Sequence, residues 1–336
     1  MKKVIIIGGG VAGMQAAVSL SRRGVKPVIV ERERNLGGKV ASWHMLFPSM
    51  TPAAEVVHEL EEQVKRCGAE VLYSKNACGI SGRGVQFEDG GSLAADAVII
   101  STGFELFDAR IKEEYGYGIY DNVITSADLE SMMNRGAVTL SDGRTPERIA
   151  ILHCVGSRDE KVGQSHCSKV CCVTGVKQAI ELKKIFPQCN VYNFYMDVRM
   201  FGPGYEEMYR TAQQDYGVQF MRGRISEVSQ TIDSRLQIKA EDTLIGRPMK
   251  MTVDMLVLLV GMRCGESNAL IAKTAGIERS ENGFIKPRDL FNSNVCTDRQ
   301  GIFVAGAATA PKCIGEAINE GEAAAAKAVE YLNSAV

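Results

Sequence analysis

Gly8-x-Gly10-x-x-Gly13, set between an apolar run and a helix-forming run, constrains this chain more than any other feature. Residues 2–7 read as a short buried strand, and the spacing predicts a helix over about 11–23 and a second strand over 26–30. This is one β-α-β unit. Gly8 permits the tight turn, Gly10 lets a phosphate approach the backbone, and Gly13 allows the helix to lie close to the strand. The free N–H groups and partial positive charge of the helix start then favour a pyrophosphate. Glu31 ends the second strand, where a carboxylate can accept hydrogen bonds from an adenosine ribose.

The pattern runs on through Ala17, Leu20 and Gly24 to Gly37-Gly38, and this longer form resembles the FAD signature of the two-dinucleotide-domain flavoproteins. Those proteins complete the site with a strand ending in Thr-Gly, matched by Thr102-Gly103, and a strand ending in Gly before the last helix, matched by 302–306. The expected cofactor-binding residues are therefore Gly8, Gly10, Val11, Ala12, Gly13, Glu31, Arg32, Gly38, Lys39, Thr102, Gly103, Gly306, Ala307 and Lys312. NAD is the alternative occupant. One departure stands out: the resemblance implies Asp after the final Gly, and this chain has Ala307. Lys312, ahead of a helix predicted over about 314–332, would add to the helix dipole in favouring negative charge on a reduced flavin; the competing reading is a solvated lysine.

A second α/β unit begins near Arg148, with a strand at 149–153, a helix at about 173–185 and a strand at 191–195. The expected fold is thus α/β, a thioredoxin-reductase-like flavoprotein: residues 1–144 as the first part of the FAD domain, 145–288 as an inserted α/β domain, and 289–336 as the last part. In pyridine-nucleotide-using relatives the inserted strand is followed by its own glycine motif. Here it is followed by Cys154-Val-Gly-Ser-Arg-Asp-Glu. Cys-x-x-Cys is also missing, so the redox dithiol of thioredoxin reductases has no counterpart.

Cys154, Cys167, Cys171 and Cys172 crowd into nineteen residues of a chain with ten cysteines. Four soft thiolates bind zinc or an iron–sulfur cluster, and the remaining reading is buried unligated thiols. Adjacent cysteines suit a cubane better than a compact zinc knuckle, and a flavin in the same chain gives a redox centre a partner. His153 and His166 flank the thiols, and Arg158 and Lys169 could offset their charge. Cys313, beside the predicted final helix, is the one outlying thiol of interest. Net charge is −1, which gives no basic excess for nucleic acid or an acidic membrane. No apolar stretch approaches the ~20 residues of a bilayer span, and the first apolar run breaks at Gly8, against a signal peptide.

The cysteine motif, with Gly175-Val-Lys-Gln-Ala after it and Glu114-Tyr-Gly-Tyr-Gly118 and Asn122-Val-Ile-Thr-Ser126 before it, resembles the HdrA family of heterodisulfide reductase subunits. The resemblance implies that the four cysteines ligate a [4Fe–4S] cluster close to FAD. It implies HdrB- and HdrC-like partners in a redox complex, a homodimer core and a cytoplasmic location. Ferredoxin-like cysteine runs are missing, and Phe47-Pro-Ser-Met-Thr stands where a cysteine-rich segment often follows the Gly-Gly element. The short form is similar to HdrA-like members of sulfur-oxidising complexes and to their counterparts in quinone-interacting oxidoreductases. The resulting expectation is an FAD and [4Fe–4S] electron-transfer subunit. Its rivals are a self-sufficient NAD(P)H-dependent flavin disulfide oxidoreductase and a non-catalytic scaffold with structural zinc.

Overall fold

Five short apolar runs build the first sheet. Lys3–Ile7, Lys26–Val30, Glu70–Leu72, Ala97–Ile100 and Ile302–Val304 all pair in parallel. Their continuous rather than alternating apolar character is what a sheet covered on both faces requires. Ile5, Ile7, Val28, Val98, Ile100 and Val304 are buried in one core. The structure, a computed structural model, describes residues 2–82 and 84–334. Its α-helices are α1 Val11–Ser21, α2 Ala53–Arg66, α3 Ser126–Asn134, α4 Cys171–Ile185, α5 Tyr205–Gln214, α6 Glu266–Ala275 and α7 Ile314–Ser334.

The chain forms two compact units. Unit 1 comprises residues 1–41, 53–105 and 263–336, and unit 2 comprises 42–52 and 106–262. In unit 1 the strand order is Ile302–Val304, Ala97–Ile100, Lys3–Ile7, Lys26–Val30, Glu70–Leu72. In unit 2 a second parallel sheet runs Val123–Thr125, Met255–Val260, Arg148–Val155, Asn190–Tyr195, Gln219–Arg222.

Four of the five strands in each sheet follow one scheme. The first strand leads through a helix (α1 or α4) to the second, and the second leads through another (α2 or α5) to the third. A three-stranded antiparallel meander then intervenes before the fourth strand, at Ala77–Ala94 in unit 1 and Ile225–Val253 in unit 2. Two units of dinucleotide-binding type, each following this scheme, make up the anticipated α/β architecture.

The unit boundaries differ from those expected at 144/145 and 288/289. Residues 106–144 supply the strand Val123–Thr125 and α3 to the second sheet, so they pack with unit 2. Residues 263–288 supply α6, whose Ile271 and Ala272 are buried with Ile80 in the core of unit 1. Residues 143–147, which span the expected 144/145 boundary, lie in unit 2, where the Leu140 N–H donates to the Arg144 carbonyl. Neither α3 nor α6 is among the helices expected from sequence. A capping box starts α3: the Thr125 hydroxyl accepts from the Asp128 N–H, and the Asp128 carboxylate accepts from the Thr125 N–H.

In unit 1, α7 lies against α1 so closely that a Cβ on Gly321 would stand 2.2 Å from the Ala12 carbonyl oxygen. Gly321→Ala is expected to cost about 1–3 kcal/mol through overpacking. Thermal unfolding measures this, and an unchanged midpoint would show that the helix pair can separate freely.

Candidate functional site

In unit 1 the strand Lys3–Ile7 delivers the chain into a turn that no side chain could occupy. Gly8 has φ +104°, and a Cβ there would lie 2.5 Å from the Ser101 carbonyl oxygen. A Cβ on Gly13 would lie 2.0 Å from the Gly8 oxygen. Gly10 is the opposite case: it is the N-cap of α1, nothing stands within 4 Å of its Cβ position, and no side chain caps the helix. The first N–H groups of α1 have no intrahelical acceptor. Open backbone at an uncapped helix start fits the phosphates of a dinucleotide. Val11 and Ala12 are buried in the first turn.

Glu31 is buried, and both of its carboxylate oxygens are engaged. Oε2 accepts from the Gly9 N–H at 2.6 Å and Oε1 from the Glu33 N–H at 2.8 Å. It braces the glycine turn, and each oxygen keeps a lone pair for a ribose hydroxyl. The Gly37-Gly38 element comes to the same turn: the Gly37 N–H donates to the Gly9 carbonyl, and a Cβ on Gly38 would sit 3.2 Å from the Gly10 Cα. Lys39 lies over the Phe104 ring, and burial together with Arg32 lowers its pKa. Arg32 itself pairs with Glu33 at 3.4 Å.

The two later elements belong to unit 1 as well. The Ser101 hydroxyl donates to the Ile7 and Gly8 carbonyls, tying the fourth strand to the glycine turn. Fully buried Asn268 on α6 holds Thr102-Gly103, pairing with the Thr102 hydroxyl and donating to the Gly103 carbonyl at 3.0 Å. A Cβ on Gly306, at φ +70°, would be 2.9 Å from the Ala12 Cβ. The Gly306 N–H donates to Glu320 of α7, beside the half-buried Ala307. Lys312 is not a solvated lysine: it pairs with the same Glu320 at 3.2 Å. Burial raises the Glu320 carboxyl against the pull of Lys312. That pairing leaves less unbalanced positive charge ahead of α7 than the sequence suggested.

Sequence reasoning missed Ser101, Asn268 and Glu320. For Glu320 a signal existed, since it is a carboxylate beside the small residues Ala317, Gly321 and Ala324 that α7 buries. Asn268 lies in a helix that the apolar spacing does not mark.

In unit 2 the corner that follows the first inner strand is built of thiols. Cys154 nearly ends the strand Arg148–Val155, and Cys171 and Cys172 open α4. These three are buried and Cys167 is half-buried. The Cys154 and Cys171 sulfurs are 3.7 Å apart, Cys172 Sγ meets the Asp197 carbonyl at 3.4 Å, and Cys167 Sγ accepts from the Lys169 N–H. A hydrogen bond from Cys171 holds Cys172 down to about 4 despite burial, with His153 adding to the effect. Cys154 is held near about 7 chiefly by the same Cys171, which is itself pushed well above the ordinary thiol.

His153 is buried with Nε2 on the Asn193 amide oxygen at 2.8 Å, and His166 Nε2 meets the Met262 carbonyl. Arg158 pairs with Asp197 at 2.8 Å. Among the described residues, no three His, Cys, Asp or Glu side chains are already arranged as a metal site. The donor chemistry nonetheless suits a soft metal centre: buried sulfurs, two with depressed pKa, at a helix start whose dipole favours anions.

The family model described as pyridine nucleotide-disulphide oxidoreductase matches residues 2–326. An iron–sulfur subunit of the CoB–CoM heterodisulfide reductase of Methanocaldococcus jannaschii is 32% identical over 96% of this chain and 63% of its own length. The corresponding subunit of the H2/formate:CoB–CoM heterodisulfide,ferredoxin reductase of Methanococcus maripaludis is 37% identical over the same shares. The chain thus spans a little under two thirds of these curated relatives. Thioredoxin reductase of T. acidophilum superposes with a TM-score of 0.72 at 18% identity, covering 100% of both chains. That of Lactococcus lactis gives 0.71 at 20%, covering 99% of this chain and 100% of its own. At such identities the likeness shows the fold. No helix among the described residues is long and apolar enough to cross a membrane.

Glu31→Ala would leave the Gly9 and Glu33 N–H groups without their acceptor. The cofactor-free chain is expected to lose about 1–3 kcal/mol by chemical denaturation, and unaltered stability would argue that water replaces the carboxylate at no cost.

Proposed function

The chain belongs to the pyridine nucleotide-disulphide oxidoreductase family, and on that footing we propose that it is an electron-transfer subunit holding FAD in unit 1 and a [4Fe–4S] cluster in unit 2. One observation carries the reading. The two units share the order of their inner strands, and at the corner where unit 1 has its glycine turn, unit 2 has Cys154, Cys167, Cys171 and Cys172. A second pyridine nucleotide would need a phosphate cradle there. The loop offers sulfur instead.

When bound, FAD supplies two-electron chemistry and a [4Fe–4S] cluster supplies single-electron transfer. The chain's own residues do the rest. Gly8, Gly10, Val11, Ala12 and Gly13 present backbone to the pyrophosphate, Glu31 braces the turn and takes the ribose, and Arg32, Gly38 and Lys39 line the same end of the site. Asn268 fixes Thr102-Gly103, and Glu320 fixes Gly306 beside Ala307 and Lys312. In unit 2 the four thiols would hold the cluster, with the start of α4 and Arg158 offsetting its negative charge.

The curated relatives are named as subunits of heterodisulfide reductases. That supports work within a multi-subunit complex; HdrB- and HdrC-like partners and a homodimer core are part of the proposal. Oxidative sulfur metabolism in the cytoplasm is the proposed setting.

Cys171→Ser and Cys154→Ser are expected to abolish bound iron while FAD remains, because the FAD elements all lie in unit 1. Iron analysis and the flavin spectrum of anaerobically purified protein decide it; full iron content in either variant rejects the ligand assignment, and zinc in place of iron supports a structural site.

The isolated chain should also be nearly inert toward NADH, having no second glycine cradle and no Cys-x-x-Cys. Stopped-flow flavin reduction on the order of 10 per second would instead restore a self-sufficient reductase.

A further inference from the structure

Unit 2 contains a buried group of charges that neither cofactor reading uses. Lys177 and Glu181 lie on α4, Glu130 on α3, and His44 in the segment 42–52. Lys177 pairs with Glu130 Oε1 and stands 3.0 Å from Glu181 Oε2, and the side chains of all three are at most 5% exposed. His44 Nδ1 meets Glu181 Oε1 at 2.7 Å, and its imidazole is 30% exposed, the one member of the group that reaches solvent. Gln178 completes the set, donating to Glu130 Oε1 and to the Ser126 carbonyl.

The same groups hold residues 42–45 in place. The His44 N–H donates to Glu130 Oε2 at 2.8 Å, Lys177 donates to the Met45 carbonyl at 3.1 Å, and Asn134 donates to the Ser42 carbonyl at 2.8 Å. His44 is the titratable side chain of the segment 42–52. On α3 the other carboxylate, Asp128, is engaged with Thr125 and Tyr117.

Two carboxylates face one ammonium, so without a further proton the group buries a surplus negative charge. An unbalanced buried charge costs several kcal/mol and is relieved by protonation or by opening. Proton uptake, by His44 or by Glu181 beside it, removes the surplus. We propose that His44, Glu130, Lys177 and Glu181 form a one-proton site that clasps the 42–52 segment to unit 2, closed while the proton is held and loosened when it leaves through His44.

Burial raises the Glu181 carboxyl, against the pull of Lys177 and His44. A carboxyl raised in the folded state gives stability that is present below its ordinary range and is lost as pH rises through the raised value, which is the sign the clasp needs. In sequence the segment follows closely on Gly37-Gly38, and α4 begins with Cys171-Cys172.

Hydrogen exchange on the full chain tests this without either cofactor, so its outcome stands apart from the cofactor assignments. Protection of the 42–52 peptide, corrected for intrinsic exchange and referenced to the strand Arg148–Val155, should fall about tenfold or more between a pH in the ordinary carboxyl range and one above the raised Glu181 value, as release of one proton allows. Glu181→Gln removes the surplus charge and should keep the segment protected at both pH values. Lys177→Met should leave it open at both. Flat protection in the unmodified chain overturns the proposal, and so does an undiminished pH response in Glu181→Gln.

Discussion

Two backbone contacts that leave no room for a Cβ fix unit 1. The Gly8 carbonyl faces Gly13 on α1, and the Ser101 carbonyl faces Gly8. Because these approaches are so close, the helix start, the turn and the ends of two neighbouring strands form one rigid corner. Ser101 then ties the fourth strand to that corner through its hydroxyl, and Glu31 ties the second. The last helix inherits the constraint, for Gly306 and Gly321 both pack on Ala12 in the first turn of α1. A site that accepts phosphate through backbone N–H groups needs this rigidity, since those groups cannot adjust to the ligand as side chains do.

Unit 2 uses the same sheet order with a different corner. Its strand Arg148–Val155 carries Cys154 beside its last residue, and α4 starts on two thiols behind Val170, where α1 starts on Val11 behind Gly10. Scaffold and site are separable here: one arrangement of strands and helices supports a phosphate cradle in one unit and a sulfur donor set in the other. A buried ion pair also reaches the loop between that strand and α4. Lys112 and Asp159 pair at 2.8 Å with both side chains under 10% exposed, and Asp159 lies in the loop that carries Cys154 and Cys167. Breaking such a pair from one side leaves an uncompensated buried charge, so it holds the loop in register.

Motifs made the site legible to the extent that chemistry resides in residue type. The glycine turn, Glu31, Thr102-Gly103 and Gly306 lie in unit 1 as expected, and Cys154, Cys171 and Cys172 gather at one corner of unit 2. What escaped were residues whose role is to hold others. Ser101 acts through its hydroxyl on the Ile7 and Gly8 carbonyls and Asn268 through its amide on Thr102 and Gly103, and neither has a sequence pattern. The unit boundaries escaped for a different reason. Val123–Thr125 is too short to stand out in sequence as a strand, and only its pairing with Met255–Val260 assigns it to unit 2. Likewise nothing in Phe47-Pro-Ser-Met-Thr marks the unit it joins; Phe47 and Met50 pack against an apolar core built from residues far away in sequence.

The thiol loop shows strain as well as chemistry. Of the six described non-glycine residues with positive φ, three fall between 154 and 169: Cys154 at +61°, Arg158 at +56° and Lys169 at +63°. Each such conformation costs about 1–3 kcal/mol and persists where the surroundings over-determine it. Here the surroundings are specific. Ser168 is buried between the Ser157 hydroxyl and the Met262 N–H, His166 is held on the Met262 carbonyl, and Arg158 is pinned by Asp197. A loop whose only task was to connect a strand to a helix could relax each of these at little cost. One that must bring sulfurs from the end of a strand and the start of a helix to the same corner cannot. The cysteines and the strained backbone thus share one stretch of chain, and a fixed geometry of soft donors is what the proposed cluster would ask of it.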